Sequence, residues 1–231
     1  MTQPTVLITG ANRGIGLEFA QQYAADGWQV LACCREPSSA KALSTLATQF
    51  ADKITVYALD VEDFSQIEAL AETLAGHAID VLINNAGVFP HSEFGDLDAD
   101  AWALAFKINS IAPLKMAEAF TSHVARSELK KIVTLSSKMG SMDDNTSGGS
   151  YIYRSSKAAV NMVMKSLSID LKPYGIACGV LHPGWVQTDM GGPNGLINTQ
   201  QSVSGLRQVI EQLSLENAGR FIAFDGKEIA W

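Results

Sequence analysis

Short apolar runs alternate along the chain with longer stretches in which apolar positions recur every three or four residues. Continuous runs such as Val30-Leu31-Ala32-Cys33 and Val81-Leu82-Ile83 suit parallel strands covered on both faces. The pattern predicts strands over Thr5–Thr9, Gln29–Cys34, Ile54–Asp60, Asp80–Asn84, Lys131–Ser136, Ala177–Leu181 and Arg220–Phe224. Helical stretches over 15–25, 39–50, 64–75, 98–124, 151–172 and 200–216 alternate with them. Ser38 or Ser39 is placed to cap the second helix and Asp98 the fourth. Pro113 predicts a bend in the fourth, just after Asn109. Pro173 and Gly175 end the fifth. The alternation predicts right-handed crossovers and an open, doubly wound α/β sheet of seven parallel strands flanked by helices. Without a repeat, linker or low-complexity tract, residues 1–231 read as one domain.

Composition narrows the function classes. The chain has 231 residues, 47% hydrophobic and 18% charged, which fits a folded globular protein. Its net charge of −7 lacks the cationic footprint that nonspecific nucleic-acid binding needs. No run of about 18 apolar residues is present, so no membrane span is expected. The start lacks the basic segment and apolar core of a secretion signal. Cys33, Cys34 and Cys178 read as reduced core thiols, and a cytoplasmic location is expected. The histidines form no pair at metal-ligand spacing, so no metal is expected.

The segment Thr9-Gly10-Ala11-Asn12-Arg13-Gly14-Ile15-Gly16 follows the first strand and opens the first helix. There the glycines permit a tight turn, and the helix N-terminus offers N–H groups to a pyrophosphate, as in Rossmann-type dinucleotide sites. An NAD site usually places a carboxylate at the end of the second strand, whereas Cys33, Cys34 and Arg35 stand there. Arg35, with Arg13 closing the other side, could fork onto a 2′-phosphate. NADP(H) is therefore preferred, with NAD(H) as the alternative. Asp60 and Val61 end the third strand, where a carboxylate can accept from adenine. Asn84-Asn85-Ala86-Gly87 ends the fourth, and strand order 3-2-1-4-5-6 puts it beside the glycine turn at the switch point.

Tyr153 and Lys157 lie one helical turn apart on the same face. An ordinary phenol, pKa near 10, is ionised in roughly one molecule per thousand at neutral pH. Two desolvated cations nearby could lower that pKa enough for Tyr153 to exchange a proton with a carbonyl or alcohol oxygen. Ser136-Ser137 closes the fifth strand, where a hydroxyl can stabilise a developing alkoxide. Asn109 lies where Pro113 could free its backbone carbonyl.

These residues in this order resemble the short-chain dehydrogenase/reductase family, over nearly the whole chain. The segment Pro183-Gly184-Trp185-Val186-Gln187-Thr188 adds to the match. The resemblance implies a catalytic tetrad of Asn109, Ser137, Tyr153 and Lys157, with Ser137 preferred over Ser136 because Lys138-Met139-Gly140 follows it. It further implies that Lys157 holds the nicotinamide ribose and that Pro183, Gly184, Val186 and Thr188 line the carboxamide. Gly148–Arg154, His182–Gly192 and the ending Phe224–Lys227 are similar to the sniffer-type carbonyl reductases and the related C-factor proteins. That subgroup implies an NADP(H)-dependent carbonyl reductase or alcohol dehydrogenase, or a nucleotide-binding signalling protein of C-factor type with incidental reductase activity. By resemblance, the long Tyr153 helix and the terminal strand would join a homodimer or homotetramer. Phe89, Met139, Met142, Trp185 and Met190 suggest an apolar wall for a small carbonyl or alcohol substrate. The Gly- and Asn-rich stretch Asp189–Gln201 is a candidate mobile lid.

Overall fold

Apolar side chains at both parities of each strand require a cover on both faces of the sheet, and the fold supplies it. The structure, a computed structural model, describes residues 3–231. The strands are β1 Thr5–Thr9, β2 Gln29–Cys34, β3 Ile54–Ala58, β4 Val81–Asn84, β5 Lys131–Leu135, β6 Ala177–His182 and β7 Phe221–Ala223. They form one all-parallel sheet in the order β3-β2-β1-β4-β5-β6-β7. The helices are α1 Gly14–Ala25, α2 Lys41–Gln49, α3 Phe64–Thr73, α4 Ala99–Phe106, α5 Ala112–Ala125, α6 Tyr151–Asp170 and α7 Thr199–Gln212.

Strand alternation divides the core in two. Val6, Ile8, Val30, Ala32, Val81 and Ile83 face α1, α2 and α7. Leu7, Leu31, Cys33 and Leu82 face α3, α5 and α6. The result is a Rossmann-type three-layer sandwich. The chain reverses winding direction between β1 and β4, so the carboxyl ends of those strands diverge into a crevice.

Local chemistry accounts for the departures from the expected elements. The strand expected to reach Asp60 ends at Ala58, although Leu59 still donates its N–H to the Cys34 carbonyl at 2.9 Å. Neither Ser38 nor Ser39 caps α2: a 3-10 turn over Pro37–Ser39 intervenes, and the Ser39 hydroxyl donates to the Glu36 carbonyl. Asp98 does cap α4, its carboxylate accepting from the N–H groups of Asp100 and Ala101 at 2.9 and 3.0 Å. The helix expected over 98–124 is split by one π turn, Lys107–Ile111, directly before Pro113. The final helix ends at Gln212 rather than 216, where Leu213 turns to extended backbone.

Candidate active site

The crevice at the carboxyl ends of the strands is a cleft of about 1000 Å³. Gly10, Asn12, Arg13, Gly14, Ile15 and Gly16 form its floor at one end. A side chain at Gly16 would run into the Gly10 carbonyl oxygen and the Asn85 amide, so only hydrogen fits there. Asn85 holds this turn from the neighbouring strand: its Nδ2 donates to the carbonyls of Thr9 and Gly10 at 2.8 and 3.0 Å. Its side chain is thus a pin for the glycine turn. Ala86 and Gly87 continue the wall.

Arg35, Asp60 and Val61 line the cleft beyond the end of β2. Arg35 has no ion-pair partner among the described residues. Arg13 behaves otherwise. Its Nη1 bonds the Asp189 carboxylate at 2.9 Å, on the loop after β6, whereas Arg35 follows β2 on the far side of β1. Arg13 is thus engaged by Asp189, and both residues line the cleft.

Tyr153 and Lys157 line the opposite end, both buried. Lys157 Nζ donates to the Leu135 carbonyl at 2.8 Å and lies 5.7 Å from the centre of the Tyr153 ring. Burial pushes the lysine down to about 8. Burial also pushes the Tyr153 phenol up to about 12, with the Ser137 hydroxyl pulling weakly the other way. In the protein alone the phenol is thus a firmly held acid, as burial by itself dictates.

Of the paired serines, Ser136 gives its hydroxyl to Asn161 Oδ1 at 2.6 Å, although the residue lines the cleft. Ser137 is the one that meets Tyr153; its Oγ also accepts the Met139 N–H at 3.1 Å. Asn109 is turned inward from the π turn. Its Oδ1 accepts the Val88 N–H, and its Nδ2 donates to the Val88 carbonyl and the Ser156 hydroxyl, all at 2.9 Å. Ser156 in turn donates to the Tyr153 carbonyl at 2.8 Å. Pro113 has no N–H to give the Asn109 carbonyl four residues back. Pro183 and Thr188 line the cleft, whereas Gly184 and Val186 do not, Val186 being buried.

Phe89, Met142, Trp185 and Met190 are all exposed; Met190 lines the cleft, and Phe89 packs edge-on against Tyr153 with centroids 4.5 Å apart. The stretch expected as a lid is tied to the segment just before it by Leu196 N–H to the Trp185 carbonyl and Gln187 N–H to the Ile197 carbonyl, at 2.7 and 2.9 Å. Its last residues, from Thr199, already belong to α7.

Residues 4–196 match the family model described as short chain dehydrogenase. The chain belongs to the short-chain dehydrogenase/reductase family. As an oxidoreductase of that family it is similar to the C-signal protein of Myxococcus xanthus, 43% identical over 71% of this chain and all of that one. Two solved structures superpose over the full length of both chains: the NADPH-bound carbonyl reductase from chicken fatty liver, TM-score 0.93 and 34% identity, and the carbonyl reductase Sniffer of D. melanogaster, TM-score 0.92 and 32% identity.

Around this cleft stand residues to which the sequence alone assigns no contact. Ser156 and Asn161 bond the backbone and side chains of the site from within α6. His182 Nδ1 accepts the Lys138 N–H at 3.2 Å, bracing the turn after Ser137. Asp189 holds Arg13. None belongs to a spacing motif; each acts through a partner distant in the chain.

Proposed function

We propose that this protein is an NADP(H)-dependent carbonyl reductase in which Tyr153 is the general acid. The observation that carries the reading is a single cleft with a glycine cradle and an unpaired Arg35 at one end and buried Tyr153 and Lys157 at the other. The residues present fit a dinucleotide: the turn leaves no room for a side chain at Gly16, and Arg35 offers a cation where an NAD site would carry a carboxylate. Arg35 would hold the 2′-phosphate and the glycine turn the pyrophosphate. Asp60 and Val61 would border the adenine, and Pro183 and Thr188 the carboxamide. The bound coenzyme supplies hydride to the carbonyl carbon.

The remaining work falls to the protein. The Tyr153 phenol keeps its proton because burial disfavours phenolate, and it donates that proton to the carbonyl oxygen as the alcohol forms. The Ser137 hydroxyl hydrogen-bonds the same oxygen. Lys157, buried and cationic at neutral pH, stabilises the phenolate left behind and would bind the nicotinamide ribose. Asn109 fixes the backbone on which these groups stand. Phe89, Trp185 and Met190 give the substrate an apolar wall. Association of two or four copies through α6 and β7 belongs to the same reading.

Tyr153→Phe should abolish reduction of a panel of ketones, aldehydes and quinones while leaving NADPH affinity within about twofold. Undiminished turnover would reject the mechanism. NADPH should raise the melting temperature more than equal NADH, and Arg35→Ala should erase that difference. Equal shifts in the unaltered protein would make NAD(H) the coenzyme. The likeness to C-signal favours one second reading, a nucleotide-binding regulatory protein. Stabilisation by NADPH with no turnover across the panel would select it.

A further inference from the structure

The helix that carries Tyr153 does not cap itself. A helix N-terminus leaves several N–H groups without partners, and a Ser at the N-cap usually accepts one of them while a Glu or Gln at the third position bonds back. In α6 the N-cap residue Ser150 is left-handed (φ 48°), after Gly148 and Gly149 with φ of 65° and 64°, and its side chain makes no cap bond. The third position is Tyr153, whose side chain is turned to the cleft. Both halves of a capping box are therefore closed to this sequence.

Ser92, nearly 60 residues earlier in the loop after β4, takes over both. Its hydroxyl oxygen accepts the Ile152 N–H at 3.1 Å, and its carbonyl accepts the Ser150 N–H at 3.0 Å. Ser92 is itself buried, at 3% exposure, so water cannot replace it. The same loop is anchored at Val88 by Asn109 and lays Phe89 edge-on against the Tyr153 ring. Residues 88–92 thus span from the π turn to the first turn of α6, touching Tyr153 midway.

We infer that Ser92 is a positioning residue for the reaction: by capping α6 from outside it sets where the Tyr153 phenol stands in the cleft. This rests on Tyr153 being the proton donor. Ser92 touches neither substrate nor coenzyme in this role; it acts through the backbone of Ser150 and Ile152.

Ser92→Ala, Ser92→Cys and Ser92→Thr test the inference. In Ser92→Ala the Ile152 amide of the protein alone should exchange its hydrogen about tenfold faster. Its kcat should fall about tenfold or more, since small misplacements of a reacting group are costly, while NADPH affinity stays within about twofold. Thr, which keeps the acceptor oxygen, should restore exchange and kcat together, and Cys, a poor acceptor, should fall between. An Ile152 amide as protected in Ser92→Ala as in the parent would overturn the inference. So would an unchanged kcat, a loss shared equally by Thr, or kcat and NADPH affinity falling in parallel. Should Ser92→Ala not fold, the order of Thr above Cys decides, and equality of the two overturns it. Tyr153→Phe separates the failures: if that variant turns over, the proton-donor reading falls; if it is inactive and Ser92→Ala is not impaired, only the role of Ser92 falls.

Discussion

His182 shows how much one half-buried side chain can impose on the response to pH. Burial, helped by the Lys138 ammonium, pushes it down to about 4, below the ordinary 6.5. Between those values the unfolded chain takes up a proton that the folded chain refuses. Stability therefore falls as pH drops from about 6.5 toward 4. Protonation would also remove the acceptor for the Lys138 N–H behind Ser137. In His182→Asn the acid-side loss in urea unfolding between pH 7 and 4.5 should shrink; an unchanged slope would refute the assignment. Lys157 has the same sign in another window: with its pKa lowered to about 8, stability should rise with pH from there toward 10.5. Lys157→Met should flatten that rise in the same measurement. The type of each residue was legible from the sequence. Its environment was not, because a pKa depends on neighbours from other elements.

At the scale of the element, ends and breaks carry the lesson. Asp98 was readable as a cap because an aspartate directly preceding an apolar-periodic stretch has one local use. Asp98→Ala should cost about 1 kcal/mol in denaturant unfolding, and a neutral result would mean that the α4 start is held by packing. Ser38 and Ser39 looked equally suitable, yet Pro37 sets up a 3-10 turn that spends the Ser39 hydroxyl on Glu36. The apolar rhythm of 98–124 concealed the π turn, since one extra residue per turn shifts the pattern too little to see. Pro113 was the visible trace of it. That turn swings Asn109 inward to Val88, which a regular helix with solvent-facing Asn109 would not do.

For the whole molecule, the open, doubly wound parallel sheet followed from β-α alternation and handedness, and the order expected of a dinucleotide-binding sheet is the one observed. Met162 and Ile169 on α6 are 67% and 64% exposed, unusual for apolar side chains on a core helix. Sedimentation should give two or four copies of the 24.7 kDa chain, with Met162→Asp shifting the distribution toward one; a single copy at all concentrations would reject association. Periodicity, glycine placement and the Tyr153–Lys157 spacing are local properties, so the sequence by itself determined the three-layer fold, the glycine turn and the paired side chains. Contacts across the chain belong to the tertiary structure alone. Arg13 meets Asp189 over 176 positions, Asn85 meets Thr9 over 76 and Ile152 meets Ser92 over 60. No local pattern specifies such pairs, because what brings them together is the packing of elements whose own sequences are silent about their neighbours.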